Sequence, residues 1–190
     1  SINYDTTISE FIVNINSNKW YDTGLTIQPG EHVSFIVENI DNPTKRNQAN
    51  SADVYVYPEG YYGDTPQTPG HIYNYADCTT TGWVSFSTYF AASNVRPFSM
   101  AATLVDVNTS NGSKWKNLGL HNASQFVATI SDAMQLNRYS AFESSELPNH
   151  GAGRLVLIFN DKTGNSFSGL GQYANSAGQV RVKVIRGESS

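Results

Sequence analysis

Between the apolar runs "RLVLIFN" and "QVRVKVI" the chain carries Asp161, Thr163, Asn165, Asn175 and Ser176. Carboxylate, amide and hydroxyl oxygens, together with loop carbonyls, are what a hard cation needs. Ca²⁺ takes roughly six to eight such oxygens and tolerates irregular geometry. Mg²⁺ would ask for octahedral geometry and more carboxylate or phosphate, and Zn²⁺ for His or Cys, which this stretch lacks. The segment "DKTGN" has the Asp-x-x-x-Asn spacing of an EF-hand start. Gly164 is out of place for that loop, however, and no glutamate stands at its twelfth position, so an EF-hand is excluded. The same residues can also form Asx-turns and bind nothing. On these residues alone both readings stay open.

Other chemistry is less well supplied. Cys78 lies seven residues from His71, which makes a thiol nucleophile conceivable. A lone cysteine in a β protein is more often buried and inert. A glycosidase-like pair could be drawn from Glu143, Glu146 and Asp161, but nothing in the sequence selects them. His32, His121 and His150 have no partner at ligand spacing and read as surface residues. The expectation is a binding protein and not an enzyme.

The elements that must position the ligand loop are strands. "EFIVNINS" alternates with Phe11, Val13 and Ile15 on one face. In "LTIQPGEHVSFIVENI" two strands flank Gln28-Pro29-Gly30-Glu31, a Pro-Gly turn, and Val33, Phe35 and Val37 share a side. "DNPTKRNQANS" reads as a polar loop, and "ADVYVYP" as a strand with Val54 and Val56 inward. The stretch from Pro58 to Asp77, full of Gly, Pro and Tyr, reads as an ordered loop. "GWVSFSTYF" and "FSMAATLVDVN" return to strand, the second apolar enough to be buried. "ASQFVATI" alternates like a strand, whereas "SDAMQLNRYSAF" fits a short helix capped by Ser131 or Asp132. "GRLVLIFND" and "GQVRVKVIRG" close the chain. Their pairing as a hairpin with a long loop would bring Asp161–Asn165 and Asn175–Ser176 to one cation. Eight or nine strands with little helix predict an all-β fold, an antiparallel sandwich or barrel.

Composition sets the outer limits. The chain has 190 residues, of which 39% are hydrophobic and 15% charged, so it can bury a core without disulfides. A single domain over 1–190 is expected, since no linker or repeat interrupts it. The net charge of −4 argues against nucleic acid, which wants a basic stripe. No apolar run approaches the length of a membrane span, and "SINYDTTISEF" has no signal-like character. Cys78 alone forms no internal disulfide and fits cytosol, periplasm or secretion equally.

Three stretches together resemble the bacterial PA-I-type galactophilic lectins. "TGLTIQPGEHVSFIV" looks like the family's early strand, Pro-Gly-acidic turn and strand. "RPFSMAATLVDVN" is similar to its central apolar strand, and "LVLIFND…QYANSAGQVRVKVI" to its closing ligand element. The resemblance covers less than half the chain. It implies an antiparallel β-sandwich of the jelly-roll, galactose-binding-domain-like kind, with Ca²⁺ as cofactor and galactose-containing glycans as partners.

Carried over, Asp161 falls on the aspartate that ligates Ca²⁺ and accepts a sugar hydroxyl. Asn165 falls where a threonine offers its carbonyl oxygen, Asn175 on the first ligand asparagine and Ser176 on the second. Ser176 and the additional "SFSGLGQ" depart from the pattern. "YYGDTPQ…GHIYNY" is similar to the Tyr-Gly loop of the family. It makes Tyr62 the carbonyl ligand, His71 a sugar contact and Asn74 the stand-in for a sugar-binding glutamine. Tyr61, Tyr62 and Tyr73 would be the aromatics best placed to cover a sugar ring. The competing expectation is an adhesion or toxin-associated module that binds protein, its Ca²⁺ loop purely structural. The sequence leaves homo-oligomerisation open.

Overall fold

The computed structural model describes residues 7–40, 44–47, 53–56, 90–95, 99–105, 130–146, 153–161 and 176–188. Eleven strands run through them: β1 (Thr7–Asn14), β2 (Tyr21–Ile27), β3 (Glu31–Asn39), β4 (Thr44–Asn47), β5 (Asp53–Val56), β6 (Met100–Val105), β7 (Met134–Leu136), β8 (Tyr139–Glu143), β9 (Gly153–Phe159), β10 (Ser176–Ala177) and β11 (Gln179–Glu188). Two four-stranded antiparallel sheets carry the fold, ordered β1-β11-β3-β8 and β2-β9-β6-β7. A small third sheet has the order β10-β4-β5. The expected all-β antiparallel sandwich is what these residues form.

Period-two patterning explains the first sheet. Val13, Val33, Phe35, Val37, Val180, Val182 and Val184 are buried on one face. The other face carries Glu10, Glu38, Arg181 and Lys183, which form ion pairs of 3.4–3.9 Å. The second sheet differs. Every residue of β6 and Leu155 through Phe159 of β9 is buried, so these central strands are covered on both faces. Full burial of Trp20, Phe35, Phe90 or Phe159 stabilises the fold by about 1.5–3 kcal/mol per side chain.

Local chemistry sets the turns. Between β2 and β3 the Glu31 amide donates to the Gln28 carbonyl at 3.2 Å. Gly30 there has φ of 89°, the value a type II turn needs after Pro29. Gly153 opens β9 at φ 134°, where an added Cβ would meet the Val105 carbonyl oxygen at 2.6 Å. Only glycine lets β9 lie this close to β6.

Three expectations are corrected. The strands flanking the long loop do not pair: β9 bonds β2 and β6, while β11 bonds β1 and β3. The segment 162–175 therefore connects one sheet to the other, and a crossing between layers needs more chain than a hairpin turn. The short helix expected in "SDAMQLNRYSAF" is instead β7 and β8. Met134 and Leu136 point into the core with Gln135 between them, and this alternation outweighs the helical spacing. The turn joining these strands is closed by the Asn137 amide donating to Ser140 Oγ at 2.9 Å. Finally, the polar stretch after Ile40 contains β4, whose backbone ladder to β5 forms without any apolar residue of its own. The loop expected at 58–77, the strand "GWVSFSTY" and the segment "ASQFVAT" lie outside the described residues.

Candidate functional site

β9 delivers two polar residues directly after five buried apolar ones. Asn160 and Asp161 are both 0% exposed. Asn160 extends the β6–β9 ladder by one step, its amide donating to the Ser99 carbonyl at 2.8 Å. Its side chain then fastens the segment 90–95. Oδ1 accepts from the Ala92 amide at 2.8 Å, and Nδ2 donates to the carbonyls of Ala92 and Val95 at 3.0 and 2.9 Å. The Ala91 amide donates to the Asp161 carbonyl at 3.1 Å, so Phe90–Val95 is tied to the strand end on both residues.

That segment is held from its other side as well. The Ile130 amide donates to Ala91, and the Ser93 amide to the Ile130 carbonyl, at 2.9 and 2.8 Å. Asn94 and Ala133 exchange two bonds through the Asn94 amide, at 2.7 and 3.1 Å. The result is a rigid shelf beneath Asp161. The backbone at Asn160 and Asp161 is thus held by hydrogen bonds to both Ser99 and Ala91.

At the far stem of the loop, Ser176 and Ala177 form β10 and stand opposite Arg46 and Lys45 of β4. Gly178, at φ 133°, then turns the chain into β11. The stem is anchored by the Ile15 amide donating to the Gly178 carbonyl at 3.1 Å, and by Gln179 Nε2 donating to Asn14 Oδ1 at 3.0 Å. The antiparallel registers put the end of β9 and the start of β11 at the same end of the sandwich. There β2 begins beside β9, and β1 ends beside β11. Both loop stems thus open at one rim even though their strands lie in different sheets.

Of the residues expected to hold a cation or a sugar, Asp161 and Ser176 are placed in this way. Tyr62, His71, Asn74, Asn165 and Asn175 lie outside the described residues. Among the described residues no group of three or more His, Cys, Asp or Glu could hold a metal ion. Among the same residues no helix is long and apolar enough to cross a membrane.

Asn160 was not singled out from the sequence as a functional residue. Its signal is present there: an amide following directly on an unbroken apolar run must find its partners inside the protein.

No family model matches the sequence, and no curated protein does. Among solved structures, the chain is similar to one described as "EclA N-terminal domain; PllA-like lectin". The TM-score is 0.41 at 16% identity, over 93% of this chain and 94% of that one. Identity at this level transfers no ligand residue from one chain to the other.

Proposed function

We propose that this protein is a calcium-dependent carbohydrate-binding protein that takes galactose or galactosides. The observation that carries the reading is Asp161. It is a fully buried carboxylate on a rigid strand end, at the position where the sequence resemblance puts the shared calcium and sugar ligand. Asp161, Asn165, Asn175, Ser176 and the Tyr62 carbonyl would hold the ion. When bound, Ca²⁺ supplies coordination sites that two neighbouring sugar hydroxyls can occupy in place of water.

The chain's own residues do the remaining work. Asp161 would also accept hydrogen bonds from those hydroxyls and Asn175 would accept from or donate to them, and bonds to a carboxylate are about twice as strong as neutral ones. His71 and Asn74 would contact the sugar from the Tyr-rich segment. Asn160 positions Asp161 by holding the shelf 90–95 beneath it. The reading is one of binding and not of catalysis.

The test is retention on galactose-agarose with Ca²⁺ and release by EDTA. Retention that ignores the chelator would sink the calcium mechanism. Failure to bind any member of a glycan array would favour a protein-binding module.

A further inference from the structure

A concavity lies at the same rim, on the side where both sheets end. β1 and β2 are the edge strands of the two large sheets, and the connector Ile15–Trp20 passes from one to the other. Between them is a cleft of about 270 Å³, with Asn14, Ser17, Lys19, Trp20, Tyr21 and Asp22 among its lining. This is below the roughly 300–1,000 Å³ typical of pockets for drug-sized ligands, and it suits one small ring. We propose that the cleft is a metal-free subsite for a single neutral hexose ring. The choice of a saccharide rests on the lectin reading above.

The walls are preset. Trp20 is only 1% exposed and forms a rigid apolar base. Tyr21 is 36% exposed, and its ring is held edge-on against Phe11 at 5.8 Å and 61°. That contact fixes the ring while leaving aromatic surface accessible to a sugar's apolar face. Asp22 is oriented twice over. Arg154 Nη1 donates to Oδ1 and Oδ2 at 3.0 and 2.9 Å, and the Gly24 amide donates to Oδ1 at 2.9 Å. A carboxylate has about four acceptor positions, so it retains capacity for a hydroxyl. Asn14 is oriented by Gln179, and the Lys19 amide donates to Ser17 Oγ at 3.3 Å.

The polar groups of the lining suit a neutral polyhydroxy ligand. Lys19 offers donors at the cleft, and Asp22, its charge balanced by Arg154, offers an acceptor. A polyhydroxy ring uses both, because each hydroxyl donates and accepts. The connector is also bound to the loop stem through Ile15 and Gly178, which puts the cleft at the rim where Asp161 and Ser176 emerge. A glycan docked at that rim would find a second place to rest.

The experiment follows the Trp20 indole N–H resonance of the ¹⁵N-labelled full chain during titration with methyl galactoside, methyl glucoside and methyl mannoside. Trp20→Phe identifies the signal among the three tryptophans. Each titration is run with Ca²⁺, with EDTA, and in Asp161→Ala. The proposal expects the Trp20 signal to shift with at least one hexoside at millimolar concentration and to do so equally under all three conditions. Tyr21→Ala should weaken that response about three- to tenfold, the loss of one aromatic contact, and Tyr21→Phe should retain it. A Trp20 signal that stays still while the calcium-loaded chain binds sugar overturns the cleft and leaves the lectin reading intact. A Trp20 response with no calcium-dependent binding elsewhere supports the cleft and removes the calcium site. If no hexoside binds anywhere, both fall. A Tyr21→Ala variant that responds like the parent overturns the cleft as well.

Discussion

Replacing Asn160 with alanine removes three side-chain hydrogen bonds at once, to the Ala92 amide, the Ala92 carbonyl and the Val95 carbonyl. Each bond of this kind contributes about 1 kcal/mol net, and a buried group left unpaired costs about 1–3 kcal/mol. Water entering the space recovers part of that penalty, so the expected loss is about 3–4 kcal/mol. For a chain of this size that corresponds to a fall in Tm of roughly 6–16 °C, at about 2–4 °C per kcal/mol. Asn160→Asp is the informative companion. It keeps an acceptor for the Ala92 amide but turns a carboxylate oxygen toward two carbonyls, so at neutral pH it should be no more stable than the alanine variant. Urea unfolding with an unchanged denaturant slope gives the measurement. A loss below about 1 kcal/mol for Asn160→Ala would refute the reasoning, because the shelf 90–95 would then not depend on this amide.

The other predictions test separate parts of the account. Gly153→Ala forces a Cβ to within 2.6 Å of the Val105 carbonyl at a positive φ, and should cost about 2–4 kcal/mol of stability in the same assay. Glu38→Gln breaks exposed ion pairs to Arg181 and Lys183 and should cost less than about 1 kcal/mol, a loss that shrinks further in high salt. Asp161→Ala should abolish calcium-dependent galactoside retention while circular dichroism still reports a folded β protein. Unfolding would instead make the carboxylate structural.

Much of the sandwich can be read directly from the sequence. Alternation in "EFIVNINS" and "EHVSFIVEN", and the Pro29-Gly30 turn, survive into the structure because one face of each strand is buried and the turn needs a positive φ. The partnering of strands is another matter. "RLVLIFN" and "QVRVKVI" are neighbours in sequence and look like a hairpin, yet each found better company in its own sheet. Nothing local distinguishes a long hairpin loop from a crossing between layers. The Met134–Leu136 region misled for a different reason. Three-residue strands are too short to display a period against a helical alternative. β4 carries no apolar residue, so its ladder leaves no hydrophobic trace.

The candidate site divides in the same way. The sequence shows an acidic residue, Asp161, ending an apolar strand, and the structure buries it there. That Asn160 must find partners inside the protein is legible too, but which partners is not, because they are backbone groups 65 and 68 residues away. Backbone acceptors and donors carry no sequence signature of their own.

The most direct test of the central claim is a calorimetric titration of the metal-stripped full chain, first with Ca²⁺ and then with methyl galactoside. The account predicts saturable calcium uptake, galactoside binding only after it, and loss of both in Asp161→Ala. Galactoside heat that is unchanged in EDTA, or a chain that takes up no calcium, would contradict it.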